Sequence, residues 1–223
     1  MRLVSAVLLV FASLSSVAAT IVHGQTVTAD RGSVCLRRSP NSPCQLLTHT
    51  GLDREPDLSA DGKEVVFVRG TPHDSVEGPT GPEEATELWI VDVATGETRR
   101  LLRGGALTNS NGVPVAHFTS PQFSPTGRIY ILSMAAVVSD VVYSLDPTTG
   151  TAQQVCAGNS LRVVKRGSYA GALLVEQHRY FVGGGSYDWV YLIGPDGKEI
   201  GTLGDQSEPG FANRLAEVLG ADP

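Results

Sequence analysis

The chain has 223 residues, 41% of them hydrophobic and 18% charged, with a formal net charge of −6. That balance supports a buried core, while the mild acidity excludes phosphate-backbone or anionic-membrane binding, both of which need dense Lys and Arg. The chain has three Cys, and the expected partners exclude nucleic acid. Met1 and Arg2 open the chain, an apolar run follows to Val17, and Ala18 and Ala19 supply small side chains, so residues 1–19 are expected to be a secretory leader cleaved after Ala19. The run is too short for a spanning helix. Without Arg2 the net charge moves from −6 to −7, and the expected location is periplasmic or secreted.

Beyond the leader the pattern predicts short strands at residues 33–37, 64–69, 87–93, 98–102, 128–132, 140–145, 161–164, 172–176, 187–193 and 199–203. Asp61-Gly62, Thr95-Gly96, Thr149-Gly150 and Pro195-Asp196-Gly197 punctuate them as turns. A helix is expected only at the end, where Phe211, Leu215 and Leu219 recur at helical spacing and Gly220 is a stop. The expected organisation is a leader at 1–19, a repeat domain at 20–204 and a helical tail at 205–223.

The strands belong to a repeat. "LLTHTGLDREPDLSADGKEVVFV" with "TELWIVDVATGETRRLL" recurs more loosely as "FTSPQFSPTGRIYIL" with "DVVYSLDPTTGTAQQV", and its outer half returns as "YDWVYLIGPDGKEIGTL". Residues 33–48 resemble the same outer hairpin. Repeated units of four short strands are the pattern of propeller blades. The fold class expected is therefore all-β, a small or incomplete β-propeller of four-stranded antiparallel blades with a short C-terminal helix. Blades are expected at residues 52–102, 118–155 and 161–203. Closing a ring would require residues 20–48 to supply most of a fourth; otherwise the blades form an open arc or complete a ring with another chain. The first unit resembles the WD40-like repeat of the TolB family through Leu47, Thr48, Asp53, Pro56, Leu58, Ser59, Asp61, Gly62, Lys63, Val65, Phe67, Leu88, Trp89, Asp92, Thr95, Gly96, Glu97 and Leu101. The second unit keeps Pro121, Phe123, Ser124, Gly127, Asp146 and Gly150. The resemblance implies a propeller of the TolB-like kind, without that family's separate N-terminal α/β domain.

Cys35 and Cys44 flank the turn-rich "RRSPNSP" and are expected to form a disulfide in an oxidising compartment, leaving Cys156 as a strand residue. Asp53, Glu55, Asp57, Asp61 and Glu64 match a calcium-loop spacing, but Leu58 stands where that loop needs Gly and the repeat already accounts for the carboxylates. No G-x-S-x-G elbow occurs. No metal, cofactor or catalytic set is expected.

In a four-stranded blade, the loop between strands two and three emerges on the same face as the connection to the next blade. Three long segments meet that condition: residues 70–87, 103–117 and 183–188. They supply the candidate binding residues His73, Asp74, Glu77, Asn109, Asn111, His117, His178, Tyr187 and Asp188. The function expected is an exported, non-enzymatic module engaging a protein, peptide or cell-envelope glycan. The alternatives are a lyase or glycan hydrolase using Asp188, His178 and Tyr187, and a degenerate propeller acting as a homo-oligomer.

Overall fold

The structure is a computed structural model and describes residues 21–22, 24–78, 81–109, 111–136 and 139–220. The expected leader, 1–19, lies outside them. Among the described residues, sixteen strands fall into four antiparallel sheets of four, each laid down in chain order. The first holds β1 (Ile21–Val22), β2 (Gln25–Asp30), β3 (Ser33–Arg37) and β4 (Gln45–Leu46). The second holds β5 (Asp53–Leu58), β6 (Glu64–Gly78), β7 (Gly81–Asp92) and β8 (Thr98–Arg103). The third holds β9 (Thr119–Phe123), β10 (Ile129–Ala136), β11 (Ser139–Leu145) and β12 (Ala152–Ala157). The fourth holds β13 (Arg162–Val163), β14 (Leu173–Tyr180), β15 (Ser186–Ile193) and β16 (Glu199–Gly204), followed by helix α1 (Phe211–Leu219). The expected outer hairpin at 33–48 is β3–β4, and β1 and β2 extend it to a complete four-stranded sheet.

Strand alternation gives the second, third and fourth sheets two apolar faces, so each of these serves two cores, while the first sheet contributes to one. Val27, Val34 and Leu36 of the first sheet meet Val65, Phe67 and Val91 of the second. The opposite face of the second, with Val66, Val68, Leu88 and Ile90, meets Ile129, Ile131, Tyr143 and Leu145 of the third. Tyr130, Leu132 and Val142 then meet Leu173, Val175, Tyr191 and Ile193 of the fourth. The last face, with Val164, Leu174, Val190, Leu192 and Leu203, packs on Phe211 and Val218 of α1. No cluster among the described residues joins the fourth sheet to the first. The sheets form a series ended by a helix, and α1 lies where a further blade would stack.

The first strands of successive sheets are bonded to one another by side chains. Asp57 of β5 accepts from Phe123 N at 2.7 Å and from Lys165 Nζ at 2.8 Å. Glu55 accepts from Ser120 N at 2.5 Å. Gln122 of β9 accepts from Val163 N at 2.9 Å and donates to Leu161 O at 2.9 Å. Two glycines allow the backbone approaches this stacking needs. Gly32, at φ 73°, closes the β2–β3 turn, and a Cβ there would stand 2.1 Å from Gly51 O. A Cβ on Gly104 would stand 2.6 Å from Ala116 O. Cys35 and Cys44 are joined across the β3–β4 turn, with their Cα atoms 5.6 Å apart.

Candidate functional site

Segment 70–87, expected as a loop, is instead mostly strand. β6 and β7 run on past the sheet as a ribbon paired Ser75↔Glu84, Val76↔Glu83, Glu77↔Pro82 and Gly78↔Gly81, with a bulge between Gly70 and Ser75. The Gly and Pro that mark it as a loop are absorbed at the bulge and at the ribbon's far end. The connection 103–117 lies against the base of this ribbon. Thr86 N donates to Ala116 O at 3.0 Å, Gly104 N to Thr86 O at 2.8 Å, and Phe118 N to Thr86 Oγ1 at 2.8 Å. Two side-chain contacts add to the seam, an ion pair of Arg103 with Asp74 at 3.0 Å and an approach of His117 Nε2 to a Glu83 carboxylate oxygen at 3.4 Å. Gly105 passes against Val76.

The candidates on these segments therefore divide. His73 and Glu77 are exposed on the ribbon, whereas Asp74 and His117 hold it to the connection. Asn109 is buried, and its Oδ1 accepts from Asn111 N at 2.9 Å and Val113 N at 3.0 Å. It shapes the connection from within. Glu83 and Arg103, which complete the two contacts, are absent from the sequence-based set; their partners lie across a register that a single strand does not reveal.

The third segment is the tip of hairpin β14–β15. His178 and Asp188 are register partners, and His178 Nδ1 lies 2.8 Å from Asp188 Oδ1. Tyr180 meets the His178 ring edge-on, with centroids 5.0 Å apart. Tyr187 is on the opposite face. It stacks between Phe181 and Trp189, with centroids 4.5 and 4.7 Å apart, and joins the core shared with the third sheet. The period-two alternation of a strand thus separates Tyr187 from His178 and Asp188, and the three do not converge on one substrate position. On the Tyr187 side Arg179 lies 3.7 Å over the Tyr191 ring and pairs with Glu199 at 2.8 Å. Burial, with a hydrogen bond to Tyr187, pushes the Tyr191 hydroxyl up to about 12. Burial likewise raises the Cys156 thiol to about 11, which makes it a poor nucleophile at neutral pH.

The acidic residues of the apparent calcium spacing take separate partners along and beside β5. Asp53 holds Arg69 through two bonds of 2.6 and 3.1 Å, Asp57 holds Lys165, and Asp61 accepts from Ser59 Oγ at 2.8 Å. The repeat's turn aspartates are structural in the same way. Backbone N–H bonds from Thr95 to Asp92, and from Thr148 and Thr149 to Asp146, hold both carboxyls below their usual range.

No protein-family model and no curated protein sequence matches the chain. Solved structures do. The chain is similar to the β-propeller domain of the Trilobed protease from Pyrococcus furiosus, at 14% identity and a TM-score of 0.52, over 79% of this chain and 52% of that one. It is equally similar to a putative TolB from Agrobacterium tumefaciens, at 14% identity and a TM-score of 0.52, over 81% and 62%. An acylaminoacyl peptidase matches at 11% identity and a TM-score of 0.50, over 79% of this chain and 30% of that one. In each case this chain spans less than two thirds of the other protein's length. At these identities the likeness establishes the fold: an all-β, propeller-like stack of four-stranded sheets. No helix among the described residues is long and apolar enough to cross a membrane.

Proposed function

We propose that the protein is an exported, non-enzymatic propeller-like module that engages a protein, peptide or envelope glycan through the face carrying the β6–β7 ribbon and the β14–β15 tip. The observation that carries this reading is the seam between the ribbon and connection 103–117. Two insertions separate in sequence are bonded into one projecting element, as a displayed surface requires and an idle loop does not. Export is supported by the leader-like residues 1–19 and by the Cys35–Cys44 bridge, which an oxidising compartment maintains. The TolB-like resemblance is in keeping with a role among envelope proteins.

Replacing residues 72–84 with an Asn-Gly turn keeps the Thr71 Oγ1 to Ala85 O bond of 2.6 Å at the ribbon's base. The wild-type protein is expected to retain partners from envelope extracts that this variant loses, read by mass spectrometry of captured material. An unchanged set of partners would remove the ribbon from the interface.

A further inference from the structure

Between the third and fourth sheets the core stops short of the loop face. Tyr130, Leu132 and Val142 fill the space deeper in. Continuing outward on the same faces, the next residues of β10 and β11 are Met134 and Asp140, which are register partners. Trp189 and Tyr187 of the fourth sheet pack against this same core, and Phe181 continues their series of rings toward the hairpin tip. The space between is open to solvent: Met134 is 40% exposed and Phe181 52%. A short path of bonds ties its two sides together. Asp140 N donates to Asn159 Oδ1 at 3.2 Å, Asn159 N to Glu176 O at 2.8 Å, and Gln177, the register partner of Trp189, donates to Ala157 O at 2.7 Å.

Asp140 is the unusual member. Its side chain takes no hydrogen bond or ion pair among the described residues, and burial raises its pKa. A partly desolvated carboxylate left in this state is costly, and an incoming cation offsets the cost. The facing rings supply the second attraction, since a cation within about 6 Å of a ring centroid is drawn to the electron-rich ring face. Arg179 shows the preference within the molecule, although it is directed to Tyr191 and paired with Glu199 rather than placed over Phe181, Tyr187 or Trp189. A pyranose would need an open stacking plane. The rings are instead tilted against one another by 37° and 56°, with Tyr187 held between its neighbours.

The geometry points to a binding site for an organic cation, an alkylammonium or guanidinium group, between Asp140 with Met134 on one side and Phe181, Tyr187 and Trp189 on the other. This inference rests on the module reading above and names the chemistry that its partner presents: a basic side chain inserted between two blades.

The test uses the purified mature chain and two matched pairs of probes, followed by tryptophan fluorescence: choline with its neutral isostere 3,3-dimethylbutan-1-ol, and an acetylated Gly-Lys-Gly amide with the corresponding Gly-Gln-Gly. The charged member of at least one pair is expected to bind at least about tenfold more tightly, a difference of about 1.4 kcal/mol. Asp140→Asn, which keeps shape and removes charge, is expected to abolish that preference, and Phe181→Ala at the exposed tip to weaken it. Preference for the Lys peptide identifies a protein source and preference for choline a small-molecule source. Equal binding within both pairs, a preference that survives Asp140→Asn, or tighter binding of chitotriose than of either cation would overturn the site. Residues 72–84 lie on another sheet, so loss of cation binding with partner capture intact would overturn this site alone, and the converse the ribbon alone.

Discussion

Tyr191 is the residue whose environment makes the sharpest solution prediction. Its ring is 3% exposed, and its hydroxyl is raised from 10.0 to about 12 chiefly by burial. The unfolded chain releases this proton at lower pH than the folded one, so between those values the native state binds more protons and stability falls as pH rises. Tyr130 and Tyr143, also raised by burial, act in the same direction. Urea midpoints are expected to decline across pH 10 to 12, and Tyr191→Phe to flatten that decline relative to wild type. Equal slopes in the two proteins would show that Tyr191 is not the group responsible. At this scale the sequence reveals type but not placement. His178, Tyr187 and Asp188 are legible as a polar and aromatic cluster, but which two share a face follows from strand alternation about a register that is set by the hairpin turn. Asp140 is not legible at all, because its isolation depends on how far two sheets remain in contact.

Among the elements, the third strand of each sheet is read well and the first strands β5 and β9 are missed, for a physical reason. β11 and β15 carry β-branched and aromatic residues, and β3 a run of Val, Cys and Leu, the composition of a strand buried on both faces. β5 and β9 read as "DREPDL" and "TSPQF", charged and interrupted by Pro, and resemble loops. They are strands because Glu55, Asp57 and Gln122 bond to the backbone of the neighbouring inner strand, a pairing invisible in local sequence. The terminal helix is the opposite case: Phe211, Leu215 and Leu219 predict it, and Gly220 caps it in a left-handed conformation, its N–H bonded to Ala216 O and Glu217 O. Only the packing reveals its role as cover for the last sheet. Phe211→Ala is expected to cost about 3 kcal/mol, read as a lower midpoint in chemical denaturation. With the face of Leu174 and Leu192 loosened, concentration-dependent self-association should follow in light scattering. An unaltered midpoint would mean that α1 contributes little to the core it covers.

For the whole molecule, the decisive bond is Lys165 to Asp57. Lys165 follows the inner strand of the fourth sheet and reaches past the third to the second, bonding Asp57 Oδ2 at 2.8 Å and also the carbonyl of Phe123. Asp57 is buried and Lys165 about a third exposed, so removing the ammonium leaves the carboxylate bonded to Phe123 N but without this cation, at a cost of roughly 2 kcal/mol. Lys165→Met is expected to lower stability by that order, and Asp57→Asn with it to add little, because the two act as one unit. Additive losses in a double-mutant cycle would show that the pair is not coupled.

In a closed ring, periodicity fixes curvature; in an open series each interface is free to flex unless something spans it. The Lys165–Asp57 bond is a chord across the arc, binding sheets two, three and four into a single block whose bending modes are suppressed. The first sheet is tied to the second by backbone instead: Asp53 N donates to Gly32 O at 2.8 Å, where Gly32 passes directly over Gly51. That first sheet turns through Arg31 and Gly32 in a two-residue hairpin and carries no projecting ribbon at that end. The ribbon, the Asp140 gap and the aromatic tip all lie on the three sheets that this chord spans, so the proposed binding surface keeps its dimensions.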